Sequence, residues 1–200
     1  QRFTAHDSGA IGCHDNVAAD INGDGELDVV ACSNDDAHVL LAWYDIPDDP
    51  TQEWTEHRIG EGIHGGVDPA GVADLDGDGD NDVVRGDAWF ENLDGEGQDW
   101  AKHADLTPPG GSRPAQYGLA LKTWALDMDG DGDTDIVQSE ADTPDGRVFW
   151  FENSGGADSW TCHLISDNHT ELDFHSLAVA DFDGDGDVDM QDVLALFELV

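Results

Sequence analysis

Asp127-Met128-Asp129-Gly130-Asp131-Gly132-Asp133-Thr134-Asp135, followed directly by Ile136-Val137, is the stretch on which the reading of this chain turns. The same nonapeptide pattern stands at 20–28, 74–82 and 181–189, so the four starts lie 54, 53 and 54 residues apart. A period of that size marks a repeat architecture, in which each unit buries its apolar surface against the next. Oxygen-bearing side chains recur at every second position and glycine holds the sixth. That arrangement wraps a hard cation, and calcium, which takes about six to eight oxygens, suits it best.

Positions 1, 3, 5 and 9 offer side chains, and position 7 offers its carbonyl. The expected ligands are Asp20, Asn22, Asp24, Asp28 and the Glu26 carbonyl in the first loop. In the second they are Asp74, Asp76, Asp78, Asp82 and the Asp80 carbonyl. In the third they are Asp127, Asp129, Asp131, Asp135 and the Asp133 carbonyl. Gly25, Gly79, Gly132 and Gly186 at position 6 supply the positive φ that closes the loop, while glycine at position 4 leaves room. With the fourth copy, four Ca2+ sites are expected. Magnesium fits less well because it holds on to its waters. Zinc has no support, since neither Cys13 nor Cys162 has a paired spacing with histidine. A site repeated on equivalent scaffold positions reads as a structural clip, whereas a catalytic metal keeps an open position beside an acid or base.

Short apolar runs precede the loops (Val17-Ala18-Ala19, Gly71-Val72-Ala73, Trp124-Ala125-Leu126, Leu177-Ala178-Val179-Ala180), and Val29-Val30, Val83-Val84 and Ile136-Val137 follow three of them. These are β-formers on either side of an acidic turn. An aromatic strand comes next, at Leu40–Tyr44, Ala88–Phe90 and Val148–Phe151, ending twice in Glu-Asn. After a polar turn, a tryptophan opens a fourth strand with histidine three places on: Trp54 and His57, Trp100 and His103, Trp160 and His163. Phe3 to His6 is a worn copy of that element. Four short strands per period describe a propeller blade, and a solenoid of parallel strands ranks second.

The loop, the valine pair, the Trp-Phe-x-Asn strand and the Trp-x-x-His strand together resemble FG-GAP/VCBS-type repeats over nearly the whole chain. The resemblance implies a calcium-stabilised β-propeller, a scaffold shared by integrin α-subunit heads, fungal lectins and polysaccharide-acting enzymes without a shared activity. The expected fold is therefore all-β: a β-propeller or partial propeller of four-stranded blades with calcium loops and a short C-terminal helix.

The fourth copy departs from the others. Met190–Val200 reads as a helix with apolar residues crowding one face, and Asp192 falls at position 12, where an EF-hand has its last acidic ligand. This segment resembles the first half of a dockerin, with Asp181, Asp183, Asp185, Asp189 and Asp192 and the Asp187 carbonyl as ligands. The second half that cohesin binding needs is missing from the sequence. The division expected is a repeat domain over 1–180, of about three and a half blades, and a dockerin-like half over 181–200. That blade number implies a fragment, or a ring completed by self-association or by blades outside this chain.

Composition narrows the function. The formal charge of −39, with seven Lys and Arg in total, excludes a nucleic-acid or anionic-membrane surface. The loops hold nineteen of the 46 acidic residues, so much of the acidity is ligand and not a disordered tail. No apolar run is long enough to span a membrane. Cys13 and Cys32 flank the first loop and pair if their strands are neighbours, with small buried thiols as the equal alternative. His57, His103 and His163 recur at one strand position, which favours packing over catalysis. Arg85, Arg113, Lys122 and Arg147 read as surface charges, with orientation of an anionic sugar as the alternative.

The function expected is a non-catalytic, secreted or cell-surface module that recognises a glycan or an extracellular protein. Two alternatives stay open: a fragment of a polysaccharide-active lyase or hydrolase, and a cell-surface adhesin. An enzyme would show one unrepeated cluster, for which Tyr117, Lys122 and His175 are the set to inspect.

Overall fold

The computed structural model describes residues 13–33, 40–61, 65–112, 120–141, 143, 146–166, 176–181, 188 and 192. The β-branched pairs after the acidic loops and the aromatic runs that follow form strands, because both suit a pleated, packed surface. The first repeat gives β1 (Cys13–Ala19), β2 (Asp28–Ser33), β3 (Leu40–Asp45) and β4 (Thr55–Glu61), paired in that order as an antiparallel sheet. A two-residue strand, β5 (Pro69–Ala70), precedes β6 (Val72–Ala73), β7 (Asp82–Arg85), β8 (Ala88–Asn92) and β9 (Trp100–His103). The last four make the second antiparallel sheet. The third repeat folds as β10 (Ala120–Leu126), β11 (Asp135–Ala141), β12 (Val148–Asn153) and β13 (Trp160–Ser166). β5 leaves its own repeat and runs parallel to β10, pairing Pro69 with Thr123 and Ala70 with Trp124.

Successive strand residues point to opposite faces, and this decides where the core lies. Val83 on β7 and Phe90 on β8 face the first sheet and pack with Ile21, Val30, Leu41 and Trp43. Their neighbours Val84 and Trp89 face the other way, against Leu121, Ile136, Phe149 and Phe151 of the third sheet. The second sheet thus carries a core on each face. Its strands therefore read Val-Val and Trp-Phe, without the alternation of a half-exposed sheet. In the third sheet Ile136 faces inward, and Val137 faces a further cluster of Met128, Val148 and Trp150. Leu177 packs on that cluster, and Trp124 Nε1 donates to the Leu177 carbonyl at 3.0 Å. Leu177, at the start of the fourth repeat, therefore lies on the third sheet. Burial of each such Val, Leu, Ile or Phe side chain is worth about 1.5–3 kcal/mol, so the faces between sheets hold the repeats together.

Strand is the only regular structure among the described residues, apart from one helical residue at Asp192. The helix expected after the fourth loop otherwise lies outside the described residues, as does the boundary expected at 180/181 beyond Asp181. The insertion between the second and third repeats is tied down by Arg147, whose guanidinium donates to the carbonyls of Pro109 at 2.9 Å and Gly111 at 2.7 Å.

Candidate functional site

The three described acidic loops share one geometry. Asp127 accepts two backbone N–H bonds, from Gly130 at 2.8 Å and Gly132 at 3.0 Å. Asp129 accepts from Asp131 N at 3.2 Å, and Asp131 from Asp133 N at 2.9 Å. Asp135, at the head of β11, reaches back to accept from Met128 N at 3.0 Å. The equivalent bonds recur around Asp20 and around Asp74. Each loop is thus curled by its own side-chain oxygens accepting from its own backbone. Gly130 and Gly132 both have left-handed φ, 77° and 99°. The fourth-position glycine is therefore needed for its backbone as well as for the space it leaves.

That curl brings oxygens together. One ligand atom from each of Asp74, Asp76 and Asp78 lies within 4.8 Å of the others, and the same holds for Asp127, Asp129 and Asp135. These two groups are the ones brought close enough to hold a metal, while Asp82, Asp131 and, in the first loop, Asp20, Asn22, Asp24 and Asp28 share the loop hydrogen bonds. Glu26, Asp80 and Asp133 donate their N–H groups to the fifth-position carboxylate. Of the fourth loop, Asp181 and Asp192 are described, while Asp183, Asp185, Asp187 and Asp189 lie outside the described residues.

Crowding carboxylates in a buried place is costly, and the ninth position carries most of that cost. Burial pushes the Asp82 carboxyl up to about 7, with the charges of Asp76 and Asp78 adding to it and N–H bonds from Asn92 and Leu75 opposing it. Asp135 is pushed up to about 6, first by burial and then by the Asp129 charge. Burial also raises Asp28, Asp76 and Asp129, and neighbouring loop carboxylates add to each shift.

The Glu-Asn ending of the aromatic strand proves to be a clip between repeats. Asn92 Nδ2 donates to the Ile21 carbonyl at 3.0 Å, and Asn153 Nδ2 donates to the Leu75 carbonyl at 2.8 Å. Each asparagine thus bonds the second residue of the preceding repeat's acidic loop. Asn81 makes a further link, donating to the Asp20 carbonyl at 2.7 Å. The loops of successive repeats are therefore braced by the repeat that follows. Sequence recurrence marked Asn92 and Asn153, but their partners lie far away along the chain.

The recurrent histidines pack. His57 stacks on Trp43 with ring centroids 4.1 Å apart, His103 on Trp89 at 4.2 Å and His163 on Trp150 at 4.5 Å. Glu91 and Glu152 pair with His103 at 2.7 Å and His163 at 2.6 Å. The scarce cations correct the expectation of surface charges: Arg85, Lys122 and Arg147 are buried. Arg147 forms a two-pronged pair with Glu140, at 2.9 and 2.6 Å. Lys122 reaches Asp68 at 2.7 Å and Asp15 at 3.2 Å. Arg113, Tyr117 and His175 lie outside the described residues. β1 and β2 are neighbours, yet Cys32 forms no disulfide, and its thiol donates to the Asp15 carbonyl at 3.8 Å. In the register Cys13 stands opposite Ser33, and Cys32 opposite Asp15. Cys162 is a free thiol.

Stacked repeats of four antiparallel strands, each with an acidic loop of fixed geometry between its first two strands, define a β-repeat protein. The FG-GAP-like repeat model matches residues 20–85 and 127–190. That is more than half of the chain, which therefore belongs to the FG-GAP-like repeat family. No curated protein and no solved structure matches it.

Proposed function

We propose that this chain is a calcium-braced module of propeller type, non-catalytic, acting outside the cell or on its surface in the recognition of a glycan or protein. The observation that carries this reading is the threefold recurrence of one loop geometry, with the first two loops each clipped by the following repeat. The donors are all oxygen, as calcium prefers. Asp20, Asn22, Asp24 and Asp28, and their counterparts in the next two loops, would hold the ion. Bound calcium would supply positive charge among carboxylates that otherwise repel one another and would rigidify the loop. Sites built alike in successive repeats fit a structural role, since an active site has no reason to be copied. The blade arrangement is supported by the cores on both faces of the second sheet. The fourth loop with Asp192 would add a site whose exit is EF-hand-like.

Recognition is tested by passing the full chain, in millimolar calcium, over a glycan array and a panel of matrix proteins. Saturable binding that disappears with a calcium chelator supports the reading. Absence of binding to either panel by a calcium-loaded, folded chain overturns its recognition half. A second reading, a polysaccharide-active enzyme, draws on one observation: the unrepeated cluster of His14, Asp15, Asp68 and Lys122. Release of reducing or unsaturated ends from polysaccharides by the chain would favour it.

A further inference from the structure

The first strands of the three repeats differ where they converge. Asp15 on β1, Asp68 just ahead of β5 and Lys122 on β10 precede the first aspartate of their loops by five, six and five residues. Lys122 Nζ donates to Asp68 Oδ1 at 2.7 Å and to Asp15 Oδ1 at 3.2 Å. His14 Nδ1 meets the same Asp15 oxygen at 2.5 Å, and Asp15 Oδ2 accepts from Gly66 N at 2.8 Å. Thr123 Oγ1 donates to the Gly66 carbonyl at 2.9 Å and receives Gln138 Nε2 at 3.1 Å, which fixes the backbone behind the cluster. At Gly66, with φ 101°, an added Cβ would lie 2.5 Å from Gly86 N, so only glycine brings the segment so close. The Asp15 side chain is 1% exposed, whereas those of Asp68 and His14 remain 32% and 23% exposed. A buried carboxylate therefore anchors the ammonium group beside a carboxylate that faces solvent.

We propose that this cluster binds a neutral, polyhydroxylated ligand, a sugar unit presenting adjacent hydroxyls. The proposal rests on the recognition reading above and names its ligand class. An ammonium has three N–H donors, and Asp15 and Asp68 engage two of those on Lys122. A hydroxyl both donates and accepts. One hydroxyl can accept from Lys122 while it or its neighbour donates to Asp68, a match that a purely anionic or purely cationic group lacks. An anionic ligand meets two carboxylates against one ammonium, under a chain charge of −39. A cationic ligand must displace Lys122 from its ion pairs. Every other recurrent feature serves packing or the acidic loops, whereas this constellation occurs once and draws one residue from each repeat.

The test is an NMR titration of the full chain in calcium with methyl glycosides of neutral hexoses, and with galacturonate and glucosamine as charged comparisons. Binding of a neutral glycoside is expected, at least tenfold weaker in Asp68→Asn, with the NMR spectrum of the calcium-loaded variant still that of the folded chain. Lys122→Met strips Asp15 of its cation and endangers the fold, so the isosteric Asp68→Asn variant carries the test. Neutral binding that Asp68→Asn leaves intact overturns the site and spares the recognition reading. Preference for galacturonate or glucosamine overturns the ligand class. Absence of any sugar binding overturns the proposal, and binding of a protein in the matrix panel would then still sustain the recognition reading.

Discussion

Replacing Asn153 by alanine should be among the most damaging single changes outside the apolar cores. Its side chain is fully buried and makes four hydrogen bonds, all to backbone. The amide donates to the carbonyls of Leu75 at 2.8 Å and Thr134 at 3.0 Å, and its oxygen accepts from Gly155 at 3.1 Å and Ala157 at 3.0 Å. A buried polar group left without a partner costs about 1–3 kcal/mol. Water and local relaxation recover part of the sum, so the expected loss is about 3 kcal/mol. For a chain of this size that lowers the melting temperature by roughly 6–12 °C. Asn92→Ala removes two bonds, to Ile21 and Gly97, and should cost less, about 2 kcal/mol. Urea unfolding of both variants in calcium measures the difference. If Asn153→Ala lost under about 0.5 kcal/mol, the level of an ordinary surface change, the clip between repeats would not be a structural tie.

Gly66→Ala forces a side chain onto Gly86 N at φ 101°; with about 1–3 kcal/mol for overpacking and a similar cost for the backbone, a urea midpoint within experimental error of the parent would contradict the packing. His103→Ala loses its stack on Trp89 and its pair with Glu91, at about 1 kcal/mol. Calcium affinity should stay unchanged in that variant, and any loss would argue against a packing role. Burial works against ionisation of Asp15, but the Asp68 hydrogen bond, the Lys122 charge and the bonds from Gly66 and His14 outweigh it and hold its carboxyl at about 2, below the unfolded 3.8. A depressed carboxyl stabilises the folded state above the unfolded value and loses that contribution as pH falls. The unfolding free energy of metal-stripped chain should therefore fall between about pH 4 and 2 more steeply than that of Asp15→Asn.

What could be read from the sequence is what repeats. The nonapeptides with their valine pairs located the loops and the strands on either side. The Trp-x-x-His spacing gave the fourth strand, in which Trp100 stands opposite Asn92 at the start of β9 and His103 stacks on Trp89 of β8. What could not be read depends on stacking. Asn153 and Leu75 meet across a sequence separation of 78 residues, and Lys122 and Asp15 across 107. No local spacing encodes such pairs. Arg85 and Arg147 misled for a related reason: a lone arginine in an acidic chain reads as a surface charge, yet Arg147 is buried against Glu140 and holds an insertion from an earlier part of the chain. β5 was illegible because Pro69-Ala70 joins the third sheet instead of its own.

Calcium occupancy of the acidic loops decides most directly what the repeats are for. Metal-stripped chain titrated with calcium in a calorimeter, and melted with and without the ion, tests it. At least three ions per chain are expected, one for each described loop. With sites of about 10 μM affinity in 1 mM calcium, linkage adds roughly 2.7 kcal/mol per site. Three such sites should raise the melting temperature by about 15–30 °C. A chain that takes up no calcium, or melts within about 2 °C in calcium and in chelator, would contradict the claim that the acidic loops are metal-braced clips.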